Sequence, residues 1–190
     1  MTANKELKVI EHFYDAAESE GIYRRLLQEQ NWPDNCYSVA GRAFTLPRLQ
    51  TWHADPGISY SYSNNLLQTR QWTPLLADIR QKVEHCLNFS FNSVLVNLYR
   101  NGEDYVGWHA DNEAELGEQP FIASLTLGAT RQFAFRHKKT AESGGILLTS
   151  GTLLIMQPDF QHHWLHSIPI DPKLTQGRIN LTFRKVIAPK

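Results

Sequence analysis

Arg178-Ile179-Asn180-Leu181-Thr182-Phe183-Arg184 decides the fold. Apolar and polar residues alternate here without a break, so Ile179, Leu181 and Phe183 share one face of a strand while Arg178, Asn180, Thr182 and Arg184 share the other. Such a strand is either a sheet edge with its polar face in water or a wall whose polar face lines a site. Two arginines with no lysine between them favour the wall. A guanidinium is a rigid fork that grips a carboxylate at two points, and a dicarboxylate ligand needs such anchors.

Working outward, the chain from Phe91 onward breaks into short β runs divided by Gly, Asn, Asp and Pro. These are Ser93 to Tyr99, Ile122 to Leu127, Gln132 to Arg136, Thr152 to Met156, Trp164 to Ile170 and Arg178 to Val186. The first thirty residues read as helical, with Leu7, Ile10, Phe13 and Tyr14 spaced for one face and Gly21 interrupting. A second helix is expected after Thr73, which can cap it; Pro74 suits its first position, and Leu75, Leu76, Ile79, Val83 and Leu87 form its stripe. Both helices are expected to brace a sheet from outside. The class is α+β, with two facing sheets in one domain over residues 1–190.

Gly107-Trp108-His109-Ala110-Asp111 carries the chemistry. On an extended strand, or the turn leaving one, His109 and Asp111 point the same way while Ala110 faces away. H-x-D alone arises often by chance, so it needs a third ligand from another strand. Of eight histidines, His162, His163 and His166 compete. Strand periodicity puts His166 on one face with Trp164 before Pro169 ends the run, whereas His162 and His163 follow the polar turn Pro158-Asp159-Phe160-Gln161, where histidine is usually solvated. Two imidazoles and one carboxylate hold non-heme Fe(II) on one face and leave the other open, which means oxygen chemistry.

Composition sets the bounds. A length of 190 residues, 42% hydrophobic and 20% charged, fits a soluble globular domain with a real core. A net charge of zero argues against strong non-specific affinity for nucleic acid, although Arg136-His137-Lys138-Lys139 forms a local basic patch. Cys36 and Cys86 are too few for a disulfide framework or a zinc site, which points to a reducing cytosol, or the nucleus in a eukaryote. No secretory pattern or membrane-length apolar run occurs, and a monomer is expected.

The ordered motifs Asn97-Leu98-Tyr99, His109-Ala110-Asp111, Ile122 to Gly128, Phe133 to Lys138, Trp164-Leu165-His166-Ser167 and Arg178 to Arg184 together resemble the AlkB family of Fe(II)- and 2-oxoglutarate-dependent dioxygenases. The resemblance covers about residues 38 to 186 and is nearest to the human-type DNA-repair branch. It implies a double-stranded β-helix, or jelly roll, with Fe(II) on His109, Asp111 and His166. Asn97, Tyr99, Arg178, Asn180, Thr182 and Arg184 would bind 2-oxoglutarate, Arg178 at its distal carboxylate and Arg184 nearer iron. With O2, decarboxylation to succinate would accompany hydroxylation of an N-methyl group, and formaldehyde would leave. A target such as 1-methyladenine or 3-methylcytosine in DNA is implied; RNA, protein or lipid are alternative targets, and a non-catalytic jelly-roll binding module is the contrasting class.

The same resemblance makes about residues 38–65 a nucleotide-recognition lid. Arg48, Gln50, Tyr60, Tyr62 and Ser63 would belong to the substrate surface, with Tyr62 stacking the extruded base against His109, Tyr60 and Glu113 at its polar edge, and Arg136 on the basic patch. An acid near a cationic methylated base would favour it over the neutral normal base. Val39-Ala40-Gly41 stands where the duplex-preferring homologue inserts a phenylalanine. Alanine lacks that stacking surface, so the expected preference tilts towards single strands.

Overall fold

The computed structural model describes residues 4–34, 36–39, 41–58, 61–62, 65–66 and 68–187, with positions 37–39, 61–62 and 65–66 placed as strand without side-chain detail. β1 (Leu7–Ile10) and α1 (Ala16–Glu29) open the chain. The hairpin β2 (Cys36–Val39) and β3 (Arg42–Thr45), the strand β4 (Leu49–Ala54), and the short β5 (Ser61–Tyr62), β6 (Asn65–Leu66) and β7 (Thr69–Arg70) follow. Beyond α2 (Pro74–Leu87) come β8 (Ser93–Tyr99), β9 (Val106–His109), β10 (Ile122–Gly128), β11 (Arg131–His137), β12 (Ser143–Leu148) and β13 (Leu153–Met156). A short α3 (Pro158–His163) leads into β14 (Trp164–Ile168) and β15 (Arg178–Arg184).

A seven-stranded sheet, ordered β1-β13-β10-β15-β8-β4-β7, faces a four-stranded sheet, ordered β12-β11-β14-β9. This is the expected α+β jelly roll. β15 lies in the middle of the larger sheet with all seven residues buried, so the wet-edge reading of its polar face does not hold. Ile179, Leu181 and Phe183 face outward into a core shared with Leu76, Ile79 and Val83 of α2 and Leu26 of α1. Their polar neighbours face inward, towards the second sheet. A second core fills the far part of that space, where Phe133, Phe135 and Ile168 meet Leu154, Met156 and Phe160.

α2 forms as its sequence predicts: the Thr73 hydroxyl accepts from the Leu76 amide at 3.2 Å, and Asn88 closes the helix in the left-handed region. The N-terminal expectation needs correction. Leu7–Ile10 is a strand paired antiparallel with β13, and the helix begins only after Asp15, whose side chain forms a reciprocal capping box with Glu18. Gly21 lies inside α1 with open space around it. It lowers helix propensity by about 1 kcal/mol without stopping the helix. The run after Gln157 is also a short helix, not a polar turn, with Phe160 and Gln161 buried. β2 to β7 and β12 were not among the expected strand runs, whereas β9 ends on the His109 that the H-x-D spacing set on a strand or the turn leaving one.

Candidate active site

β9 and β14 are paired, and their register sets His166 opposite His109. The two imidazole centroids lie 4.2 Å apart at a tilt of 51°. Asp111 follows just beyond β9, with Oδ1 3.9 Å from His109 Nε2 and Oδ2 4.0 Å from His166 Nε2. Donor atoms each held about 2.1 Å from one ion sit about 3.0–3.4 Å apart, so with all the ligand atoms within 4.8 Å of one another a small inward shift of the side chains brings them onto a single metal. Among the described residues no other cluster of three or more His, Cys, Asp or Glu side chains has such a spacing.

The protonation states fit as well. His109 Nδ1 donates to the Gly107 carbonyl at 2.8 Å, which leaves Nε2 with a lone pair aimed at the cluster. Burial pushes the His109 imidazole below its ordinary range, and Asp111 pulls it back only in part. Burial also lowers His166, to about 3, with the neighbouring His109 adding to the effect. For Asp111 burial acts the other way, but Arg184, His166 and His109 outweigh it and bring the carboxyl to about 2. Two neutral imidazoles and an ionised carboxylate are the state a divalent cation needs.

Two contacts fix Asp111. Arg184 Nη2 donates to Oδ1 at 2.8 Å, and the Asp111 amide donates to Gln161 Oε1, also at 2.8 Å. Gln161 is fully buried, and its Nε2 rests 3.3 Å from the Met156 sulfur. Sequence reasoning missed Gln161. Its only local signal is a polar residue beside Phe160 in a short helix.

A narrow cavity of about 40 Å³ runs from the three ligands along the polar faces of β8 and β15. The register sets Arg178 opposite Tyr99 and Asn180 opposite Asn97, so all four stand on this wall with Thr182 and Arg184. Thr182 Oγ1 donates to Asn180 Oδ1 at 2.8 Å, and Asn180 Nδ2 donates to Ser124 Oγ at 2.8 Å and the Leu125 carbonyl at 3.1 Å. Those two side chains stiffen the wall. Ser124, with Thr126 below it, was a missed member of the set; both occupy alternate positions of β10, the same period that exposed the β15 face.

Arg178 has a different character. Only 1% exposed, it donates through Nη2 to Thr126 Oγ1 at 2.9 Å and lies over the Tyr99 ring at 5.1 Å. Its Nε and Nη1 are buried with no hydrogen-bond partner among the described residues. Burial draws the guanidinium down to about 10. Among the described residues Asp111 is the only carboxylate lining the cavity, and it sits at the ligand end beside Arg184. A buried guanidinium with two open donors fits an anion that the cavity itself does not supply. A carboxylate of 2-oxoglutarate has that chemistry.

The remaining expected residues are dispersed. Arg48 does line the cavity, donating to Asn97 Oδ1 at 3.1 Å and the Tyr105 carbonyl at 3.2 Å. Gln50 is buried opposite Asn97 on β4, on the same face of the sheet, but does not line the cavity. Glu113 stands at the N-cap position of the short turn Ala114–Leu116 without a side-chain capping bond, and it does not line the cavity. Arg136 lies on the other face of the small sheet, its guanidinium 4.5 Å over the Trp108 ring. Tyr62 belongs to β5, whereas Tyr60, Ser63 and Ala40 lie outside the described residues.

Comparison with known proteins agrees with this site. A profile described as the 2OG-Fe(II) oxygenase superfamily matches residues 6–184. Mouse DNA oxidative demethylase ALKBH2 is 37% identical over 188 residues, covering 93% of this chain and 79% of its own. Human alpha-ketoglutarate-dependent dioxygenase alkB homolog 3 is 37% identical over 184 residues, covering 92% of this chain and 64% of its own. The solved structure of OsALKBH1 is similar in fold, with a TM-score of 0.68 at 19% identity, covering 97% of this chain and 100% of that one. With the metal-spaced triad and the arginine-bearing wall in the positions that chemistry requires, the chain belongs to the AlkB branch of the 2OG-Fe(II) oxygenase superfamily.

Proposed function

We propose that this protein oxidatively removes alkyl groups from nucleobases in DNA, with N-methylated adenine and cytosine as its substrates. It is an Fe(II)-dependent dioxygenase that uses 2-oxoglutarate and O2. The observation that carries the reading is the triad with an arginine-lined cavity beside it, in a chain whose relatives include enzymes named DNA oxidative demethylases. When bound, ferrous iron with 2-oxoglutarate and O2 supplies the oxidation of an unactivated C–H bond.

The chain's own residues position and shield. His109, Asp111 and His166 hold the ion from one side, and Gln161 and Arg184 keep Asp111 in place. Arg178 takes the distal carboxylate of 2-oxoglutarate through its two open donors, beside the Tyr99 ring, while Arg184 lies at the metal end. Asn97 and Tyr99 complete the wall, braced by Asn180 and Thr182. Walls of Leu95, Phe133 and Ile168 exclude water around the reacting centre. Hydroxylation converts N–CH3 to N–CH2OH, which breaks its C–N bond to leave formaldehyde and the restored base.

The segment from about 38 to 65, with Arg48, Gln50, Tyr60, Tyr62 and Ser63, serves in this reading as the lid that receives the base, with Glu113 and Arg136 at its margin. Ala40 supplies no stacking wedge, so single strands or weakened pairs are turned over in preference to intact duplex. The two free cysteines, Cys36 and Cys86, suit a reducing compartment. Among the described residues no helix is long and apolar enough to cross a membrane.

The test is formaldehyde release from matched single- and double-stranded oligonucleotides carrying 1-methyladenine or 3-methylcytosine, with Fe(II) and 2-oxoglutarate omitted in turn. Formaldehyde should appear in equal amount with succinate, faster from single strands, and only in the complete mixture. Succinate without formaldehyde from any methylated oligonucleotide would place the target outside nucleic acid.

A further inference from the structure

β9 is the free edge of the four-stranded sheet, and its alternation puts two functions on opposite faces of that edge. His109 points inward to the triad and is the one ligand that reaches solvent, with 24% of its side chain exposed against 2% for Asp111 and 6% for His166. Trp108 points outward and is 44% exposed. Two strands away, Phe135 faces the inner space opposite His166, so its neighbour Arg136 also points outward. The Arg136 guanidinium spans β14 and rests 4.5 Å over the Trp108 ring. Helices α1 and α2 pack on the other sheet and leave this pair uncovered.

Three properties of the pair together specify a ligand. The indole is held flat by a cation on one face while much of its surface stays open, an arrangement worth keeping only if something flat meets the ring. Arg136 has no acidic partner among the described residues, so its charge is available to an anion. Lys138, close by in sequence, does not share this role, since its ammonium donates to the Gln161 carbonyl at 2.7 Å. A polymer that alternates flat rings with anionic links fits both groups at once. His109 and Trp108 are adjacent residues of the same edge strand, so a strand whose target base enters past His109 passes close to the indole.

We propose that Trp108, held by Arg136, is a stacking platform for the nucleotide next to the modified one on the same strand, with Arg136 on the intervening phosphate. This rests on the nucleic-acid reading above and adds a second subsite to it. The platform makes affinity depend on a neighbouring base that never enters the cavity, and it does so without reading which base is there.

The experiment measures binding of a labelled single-stranded oligonucleotide of about ten nucleotides, carrying a central 1-methyladenine. Three forms are compared: intact, abasic at the neighbour on one side, and abasic at the neighbour on the other. For the wild type, one of the two abasic positions should weaken binding by roughly 5- to 100-fold. Trp108→Ala should weaken binding of the intact strand to a similar extent and lose further sensitivity to that abasic site, the signature of a shared interaction in a double-mutant cycle. Trp108→Phe should restore part of both, which separates stacking from a folding defect. Arg136→Gln should flatten the salt dependence of binding by about one phosphate contact.

The platform is overturned if Trp108→Ala binds as tightly as the wild type, or if it keeps the full wild-type penalty at the sensitive abasic position. Formaldehyde release is followed on the same strands. Strands that bind through Trp108 yet release no formaldehyde would sink the dealkylation reading and leave the platform standing. Dealkylation with unaltered affinity in Trp108→Ala would do the reverse.

Discussion

Arg184 donates to Asp111 across 2.8 Å, and both side chains are almost fully buried, at 3% and 2% exposure. The pair joins the arginine-bearing strand to the metal ligands, so the cavity wall and the triad are built as one unit. Asp111 thereby stays ionised although burial opposes it.

Breaking that pair from the arginine side should be expensive. Arg184→Met leaves a buried carboxylate uncompensated, which costs about 3–5 kcal/mol. A clear fall in Tm by calorimetry of the metal-free protein is expected, together with weaker metal binding as protons compete for Asp111. An unchanged Tm would show that the pair carries no such energy.

Gln161 holds Asp111 through the backbone, accepting from its amide at 2.8 Å. Gln161→Leu strands the Asp111 amide in the interior and should lower stability by about 1–3 kcal/mol. Loss of an outer partner that orients a ligand typically weakens metal affinity about 10- to 100-fold. Equilibrium titration with Co(II) should show that weakening, with little change in the number of ions bound; affinity equal to the wild type would remove Gln161 from the site.

Arg178→Lys keeps the charge and loses the fork. Because Nε and Nη1 are the open donors, the variant should raise the KM for 2-oxoglutarate by about tenfold or more, the loss of roughly one charge-assisted hydrogen bond, with a smaller effect on kcat. An unaltered KM would mean that the co-substrate carboxylate binds elsewhere.

His53 gives a pH signature away from the metal. It is buried, its Nδ1 donates to the Gln71 carbonyl at 2.7 Å, and burial lowers its pKa from 6.5, with the Gln71 bond opposing and Arg70 adding. The unfolded chain therefore binds more protons between the depressed folded value and 6.5. Stability from this group is full above 6.5 and is lost as pH falls through that interval. Urea unfolding of wild type and His53→Gln from pH 5 to 8 should show a shallower slope for the variant. Identical slopes would rule His53 out as a contributor.

The sequence was most legible where local rules and tertiary demands agree. β15 alternates because one face meets the helices and the other the cavity, and α2 begins at Thr73-Pro74 because those residues satisfy its first turn. β1 was misread for a physical reason: Leu7, Ile10, Phe13 and Tyr14 happen to match helical spacing, while the strand is imposed by the open edge of β13. β12 was hidden by Gly144-Gly145, a poor strand signal. Its glycine at 144 is required by packing, since a Cβ there would lie 2.6 Å from the Phe135 ring. The triad could be read from H-x-D and strand period, but Gln161 could not, because its role depends on α3 lying behind Asp111.

The central claim is that His109, Asp111 and His166 share one ferrous ion. Anaerobic Fe(II) or Co(II) titration of the wild type and of His109→Ala, Asp111→Ala and His166→Ala, each checked for folding by circular dichroism, tests it most directly. One ion per chain in the wild type, with binding lost or greatly weakened in all three variants, is the expected result. Wild-type affinity in any one of them would contradict the account.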